Sequence, residues 1–429
     1  MSLPDLALDH VLSSDTQAVL LLCGRFGRSR DGASPLSDSE YNQLAVWLQK
    51  QGMRPSDLLD EGGRRRLDTQ EPPVAADRLG RLLERGAALA LVVESWTSKG
   101  LWVLSRSDDR YPTRLRGRRS PAPPVLYGAG DVGLLSGGGL AIVGSRDASD
   151  EALDFVRNVA RTCAEQGIQV ISGGARGVDN EAMTSATGSD GTAVGVLAND
   201  LARTATRGKY RGAIQEGRLV LVSPYDPGSG FNVGHAMRRN RYIYNLADYG
   251  LIASSSSGSG GTWQGAVEAI RNREAVFVWL GDQNVPKGNH ELIKKGALPF
   301  PESPWRKLTE DLKKIYSSSR ASEPVQDRLI KEDLSVYSPG QTTLVGPAAR
   351  YELTSPPETA YEAVLPVMLR YLSEPLNSKD LAQHLDVGEK QAQAWLKKAV
   401  EEKRVRKQTR PTRYMAASDG NDARHGRSN

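Results

Sequence analysis

Three short glycine-rich turns carry the residues best suited to bind a ligand: Gly144-Ser145-Arg146, Ser172-Gly173-Gly174-Ala175-Arg176-Gly177 and Gly258-Ser259-Gly260-Gly261-Thr262. Glycine lets a backbone come close to a ligand and take positive φ. A helix starting just after such a turn points free N–H groups and its positive dipole end at the same spot, which favours an anion. Arg146 and Arg176 add planar forks able to grip two phosphate oxygens at once. One turn of this kind is commonly a tight strand-to-helix connection and no more. Three of them, two carrying arginine, point to an anionic ligand. None reads G-x-G-x-x-G or G-x-x-x-x-G-K-[ST], which disfavours dinucleotide cofactors and P-loop ATP hydrolysis.

A fourth cluster is Arg238-Arg239-Asn240-Arg241-Tyr242-Ile243-Tyr244-Asn245. Arginines for phosphates, tyrosines for stacking and amides for base edges are the mix that single-stranded nucleic acid requires. The competing reading is a solvated helix face. From Lys390 to Tyr414 there are nine basic residues against two acidic, a balance of +7. A recognition helix followed by a basic wing has this charge. Many winged helices contact proteins instead, and the residues leave both open. Arg64-Arg65-Arg66 reads as a solvated face.

These residues need elements to hold them. Short, almost continuous apolar runs predict strands at Leu101–Ser105, Leu140–Gly144, Gln169–Ser172, Ala193–Leu197, Leu219–Ser223, Leu251–Ser254 and Ala275–Leu280. Runs without alternation mark strands buried on both faces. Helices are predicted between them at Asp150–Gln166, Asn180–Ala186, Asp200–Glu216, Val233–Leu246 and Thr262–Asn272. Strand–helix alternation implies an α/β fold, a Rossmann-like, doubly wound, mostly parallel sheet. Ligands of such sheets sit at the carboxyl ends of the strands, where all three glycine turns fall.

Residues 1–85 read as a helical N-terminal domain. Tyr41, Leu44, Ala45 and Leu48 recur at helical spacing behind the capping sequence Ser37-Asp38-Ser39-Glu40, and Ala18–Leu22 reads as a buried helix segment. Residues 90–316 form the α/β domain. Residues 317–358, rich in Ser, Pro and Gly, read as a linker. Residues 359–416 follow as a C-terminal winged helix, with helices at Ala360–Leu372, Ser378–Leu385 and Glu389–Lys403 and strands near Val405–Gln408 and Arg413–Ala416. Residues 417–429 form a tail of disordered composition.

Composition narrows the function classes. The chain has 429 residues, 39% hydrophobic and 25% charged, with a net charge of +5. That is ordinary for a soluble protein and leans toward a polyanionic partner. Two distant cysteines, Cys23 and Cys163, exclude a zinc ribbon and suit a reducing cytosol. No metal or cofactor is expected, since the five histidines never take ligand spacing. Met1–His10 lacks the features of a secretory signal, and the longest apolar run, Ala87–Val93, is far short of the roughly 20 residues that span a bilayer. A cytoplasmic protein that does not enter the membrane is expected.

The central region resembles the DprA (Smf) family of DNA-processing proteins. The resemblance is carried by Gly100-Leu101-Trp102-Val103-Leu104, Tyr111-Pro112-Thr113-Arg114-Leu115 and Pro123–Gly128, then Ala141–Arg146, Ser172–Asp179, Arg238–Arg241, Gly288-Asn289 and Leu292–Ala297. It covers roughly residues 98–298, and the flanking units follow the family's order, with a SAM-like helical unit first. The resemblance implies a homodimer that binds single-stranded DNA and hands it to a RecA-type recombinase, without catalysis. By the same resemblance and the motifs above, the DNA-contacting residues are Gly144, Ser145, Arg146, Ser172, Gly173, Gly174, Arg176, Gly177, Arg238, Arg239, Asn240, Arg241, Tyr242, Gly260, Gly261 and Thr262.

The chain departs from the family at three places. Ala236-Met237 stands where the family has Phe-Pro, Trp279–Asp282 replaces a Pro-Gly turn, and Val196–Ala213 lacks the usual Tyr-Pro but carries Arg203, Arg207, Lys209 and Arg211. A paralogue serving repair or defence fits these departures. An alternative class is a nucleotide sensor or nucleotide phosphoribohydrolase-like enzyme, because the third turn also resembles the phosphate loop of those hydrolases. Their glutamate position is Gly265 here, with Glu268 about one helical turn further on, out of place for acid/base work. A pure protein adaptor acting through the winged helix is a third class.

Overall fold

The computed structural model describes residues 12–26, 33–116, 122–281, 285–321, 360–372, 375–385, 389–409 and 412–416. Five helices open it: α1 (Ser14–Cys23), α2 (Asp38–Lys50), α3 (Glu61–Thr69), α4 (Ala76–Leu83) and α5 (Gly86–Thr97). A capping box starts α2: Ser37 Oγ accepts the Glu40 N–H at 3.3 Å, and the Glu40 carboxylate accepts the Ser37 N–H at 2.8 Å. In α1 the run Ala18–Leu22 is buried throughout, as a helix apolar on all sides must be. Arg65 and Arg66 of α3 are exposed, and Arg65 pairs with Glu61. α5 crosses the boundary expected at residues 85–90, because Leu89 and Trp96 anchor it in the core that follows.

Nine strands form one sheet: β1 (Trp102–Ser105), β2 (Val125–Ala129), β3 (Leu140–Gly144), β4 (Val170–Ser172), β5 (Ala193–Val196), β6 (Leu219–Ser223), β7 (Tyr249–Ser254), β8 (Val276–Val278) and β9 (Leu298–Pro299). The spatial order is β1-β2-β6-β5-β4-β3-β7-β8-β9. β2 runs antiparallel to both β1 and β6, and every other pairing is parallel. β3 to β6 step away in one direction and β7 to β9 in the other. The order therefore reverses between β3 and β7, and the crevice outside their carboxyl ends is where such sheets bind ligands.

The connecting helices are α6 (Asp150–Glu165), α7 (Val178–Gly188), α8 (Leu201–Ala205), α9 (Gly208–Gln215), α10 (Val233–Leu246), α11 (Gly261–Arg271), α12 (Lys287–Lys294) and α13 (Leu308–Ala321). α6 starts because Ser149 caps the Ala152 N–H and Asp150 and Glu151 oppose the dipole; it docks because Ala152, Val156, Val159, Ala160 and Cys163 form one buried stripe. Val143, Ile171, Val194, Val220 and Ile252 face α10 and α11 on one side of the sheet. Leu140, Ile142, Val170 and Leu251 face α6 and α7 on the other. The N-terminal helices share a core with Tyr127, Ala193, Leu219 and Leu221. Full burial of each such side chain contributes roughly 1.5–3 kcal/mol.

A separate unit carries α14 (Ala360–Tyr371), α15 (Ser378–His384), α16 (Glu389–Glu401) and the antiparallel pair β10 (Val405–Thr409) and β11 (Thr412–Ala416), with Leu376 bridged to Tyr414. This is the element order read from the sequence as a winged helix.

The α/β reading holds, with three differences. β2 and β9 carry no strand signal: Pro123-Pro124 and Gly128 break the first, and the second is two residues ending in proline. The predicted helix 200–216 is two helices, because Arg207 is extended before Gly208. The expected linker does not begin at 317, since α13 continues through Ser317-Ser318-Ser319 to Ala321, anchored by Leu308 and Leu312. The remaining linker residues and the tail 417–429 lie outside the described residues. Both cysteines are free thiols, and burial pushes Cys163 up to about 12. No described helix is long and apolar enough to cross a membrane.

Candidate nucleic-acid interface

The three glycine turns meet at the carboxyl ends of β3, β4 and β7 and are tied to one another. Ser145 N–H donates to Ser254 O at 2.9 Å, joining the first turn to β7. Thr262 Oγ1 donates to Gly144 O at 3.1 Å, joining the third turn to the first. Val178 N–H donates to Ser145 O at 3.3 Å, joining the second to the first. Gly177 has φ of 81°, and a Cβ there would lie 2.5 Å from the Ser145 carbonyl oxygen, so only glycine fits.

A buried charge pair underlies these ties. Asp179, in the first turn of α7, accepts the Gly144 N–H at 3.3 Å. Arg239 of α10 donates Nη1 to Val196 O at 2.8 Å, at the end of β5. Both are almost fully buried. Burial pushes the Asp179 carboxyl up and the Arg239 guanidinium down, and the charge of each opposes the shift in the other. Gly173 leaves room for the pair: a Cβ there would fall 1.6 Å from Arg239 Nη1.

Several residues expected to touch ligand belong to this frame instead. Ser172 is buried and its hydroxyl donates to Ile142 O at 2.6 Å, a strand-to-strand bond. Asn240 Nδ2 donates to Gly261 O at 3.0 Å, fixing the third turn. Tyr242 is 5% exposed, and Tyr244 is likewise buried with its hydroxyl unpartnered. Neither tyrosine can serve as a stacking platform, because both rings are packed into the apolar core, that of Tyr244 against Gly250 and Gly265. Gly174, with φ of 67°, packs on Leu197.

The solvent side of the edge carries a different set. Arg146 is partly buried, with its guanidinium 5.1 Å from the centre of the Phe231 ring. Arg176 is exposed and pairs with Asp147. Arg238 and Arg241 lie on the outer side of α10, where Arg241 Nε donates to Arg238 O at 2.9 Å. Gly260 begins α11 with no side-chain cap, leaving its first N–H groups beside the exposed turn Ser256–Gly258. His235 stacks on Tyr225 with centroids 3.8 Å apart. Burial and the Arg238 and Arg25 charges hold it down at about 4, so it is uncharged near neutrality.

The sequence reading missed Phe231. Its ring is 48% exposed in the loop between β6 and α10. The available signal was a lone aromatic inside Gly228-Ser229-Gly230-Phe231-Asn232, a stretch that needs no apolar residue. Guanidiniums, backbone N–H groups and one open aromatic ring can bind phosphates and stack a base. Nearby carboxylates are poorly placed for acid/base chemistry: Asp179 is buried, and Glu268 is exposed on α11. Gly265 is covered by Asn240 and Tyr244, so it marks close packing of α10 on α11. No group of metal-ligating residues occurs among the described residues.

The sequence profile described as DNA recombination-mediator protein A matches residues 102–310, which contain every turn described above. The DNA processing protein DprA of Streptococcus pneumoniae is 30% identical over 194 residues, 44% of this chain and 67% of that protein. The chain belongs to the DprA/Smf family. DprA of Bacillus subtilis is 27% identical over 213 residues, 49% of this chain and 71% of that protein. The crystal structure of S. pneumoniae DprA shares the fold, with a TM-score of 0.52 at 22% identity, covering 67% of this chain and 94% of that one. Membership gives the chain a DNA-processing, recombination-related role. Within the DprA/Smf frame, Gly144–Arg146, Ser172–Asp179 and Arg238–Arg241 converge on the switch point of the sheet.

Proposed function

We propose that this protein binds single-stranded DNA at the carboxyl edge of its sheet and delivers it to a RecA-type recombinase, acting as a cytoplasmic homodimer and by binding, not catalysis. One observation carries the DNA reading: the partly buried Arg146 lies against the open Phe231 ring above a rigid frame of backbone ties and buried charge, with Arg176 and Arg238 exposed on the same edge. Arginines and N–H groups hold phosphates of any strand. An open ring stacks only on a base that is not already stacked and paired, which favours a single strand over duplex. The recipient and the dimer are proposed from family membership. The C-terminal unit, read as a winged helix, is proposed as an accessory DNA contact through exposed Lys397, Lys398, Arg404 and Arg406.

Titration of the full chain against single-stranded DNA, duplex DNA and nucleoside monophosphates at two salt concentrations tests this. The expected result is a preference for single strands that falls steeply with salt, through counterion release. Phe231→Ala is expected to remove most of the preference over duplex, at about 1–3 kcal/mol per stacked base. Equal affinity for duplex and single strand, or release of free base from a monophosphate, would overturn the reading.

A further inference from the structure

The segment Leu201–Gln215 carries four cations, Arg203, Arg207, Lys209 and Arg211, and no acidic residue. All four are exposed, Arg203 on α8, Arg207 at the extended junction before α9, and Lys209 and Arg211 on α9. Some other exposed arginines of the chain stand beside carboxylates, as in Arg65–Glu61, Arg81–Asp77 and Arg157–Asp154. Arg203, Arg207 and Arg211 have no ion-pair partner among the described residues. The flanking acids are already engaged: Asp200 accepts from Asn199, and Glu216 pairs with Arg218. Four like charges without a counter-charge repel one another, so the segment costs stability unless it has an anionic partner.

Its position is fixed relative to the glycine turns. α8 begins just past the carboxyl end of β5, on the same edge of the sheet. α9 is clamped to the start of α7: Asn180 Oδ1 accepts from Lys209 Nζ at 2.5 Å and from the buried Tyr210 hydroxyl at 3.0 Å. Asn180 follows Asp179, the acid of the frame, and lies three residues after Gly177. Beyond β7 the edge is different, because Ser257 donates to the Glu291 carboxylate there. Unopposed positive charge therefore continues from the turns toward β5, whereas toward β8 Glu291 shares α12 with Lys287 and Lys294.

We propose that a single strand bound at the turns continues across α8 and α9, with Arg203, Arg207 and Arg211 holding its phosphates. This rests on the reading of the turns as a single-strand site. It adds a direction for the strand and a site longer than the pocket.

The test compares wild type with the triple variant Arg203→Gln/Arg207→Gln/Arg211→Gln, leaving Lys209 and its clamp intact. Probes are oligothymidylates of about 6 and about 25 nucleotides, bracketing the lengths that single-strand sites occupy. The variant is expected to bind the short probe as wild type does and the long probe roughly tenfold more weakly. Its salt slope for the long probe should shrink by about 2, at about 0.7 per phosphate contact. The charge-keeping variant Arg203→Lys/Arg207→Lys/Arg211→Lys should retain the slope. An unchanged slope and affinity on the long probe, or equal losses on both probes, would overturn the extension while leaving the pocket standing. A wild-type protein that binds neither probe would overturn the pocket and the extension together. Unchanged DNA binding with loss of an acidic protein partner would assign the patch to that partner instead.

Discussion

Arg146 joins the frame to the ligand side. It follows Gly144 and Ser145, which are both tied by hydrogen bonds, so its side chain leaves a fixed point and lies along the Phe231 ring. A guanidinium there can grip two phosphate oxygens while a base takes its place on the ring. Hydrogen bonds to charged groups contribute about 1.5–3 kcal/mol, so Arg146→Ala should weaken single-strand binding by about tenfold to a hundredfold. Arg146→Lys should restore only part, because an ammonium lacks the fork. A binding titration paired with a thermal melt separates this role from a structural one. Loss of affinity with the melting temperature held within about 2 °C supports a ligand contact, and retained binding at physiological salt refutes it.

The decisive device among the elements is the Asp179–Arg239 pair, which links α7 and α10 to the ends of β3 and β5. Its weight lies in what happens when one partner goes. Removing a single member of a buried pair leaves an uncompensated charge and costs about 3–5 kcal/mol. Asp179→Asn or Arg239→Met alone should therefore lower the melting temperature by roughly 10 °C, at ~2–4 °C per kcal/mol. The double variant should recover much of that loss, since no unpaired charge remains. Calorimetry of the four proteins checks this cycle. Additive losses in the double variant would show that the two side chains act separately.

Across the whole molecule, two units divide between Tyr337 and Ser338. The three apolar clusters of the first unit draw only on residues up to Tyr316. A chain ending at Tyr337 should melt at the temperature of the intact first unit. It should keep its preference for single strands but lose affinity for long strands, with a shallower salt dependence, because the basic C-terminal unit is gone. Thermal melts and salt titrations on both lengths check this. A truncated chain that fails to fold would refute the independence of the first unit.

Local pattern determined much of this protein by itself. Leu140–Gly144, Leu219–Ser223 and Val233–Leu246 have the bounds that apolar runs and periodicity gave them, because strands buried on both faces and amphipathic helices write their burial into composition. The glycine turns were legible for the same reason, as Gly177 answers to its own φ and its nearest backbone. What each polar side chain does there was decided only by tertiary structure. Arg239 and Arg241 are indistinguishable in the sequence, two residues apart in one basic run, yet helical rotation buries one against Val196 and Asp179 and leaves the other on the outer side of α10. Tyr242 looked like a stacking residue and is core, whereas Phe231, which the sequence reading did not single out, is the open ring. Residue type sets what a side chain can bond, but the packing of distant strands and helices sets whether water, a ligand or the core is on the other side of it.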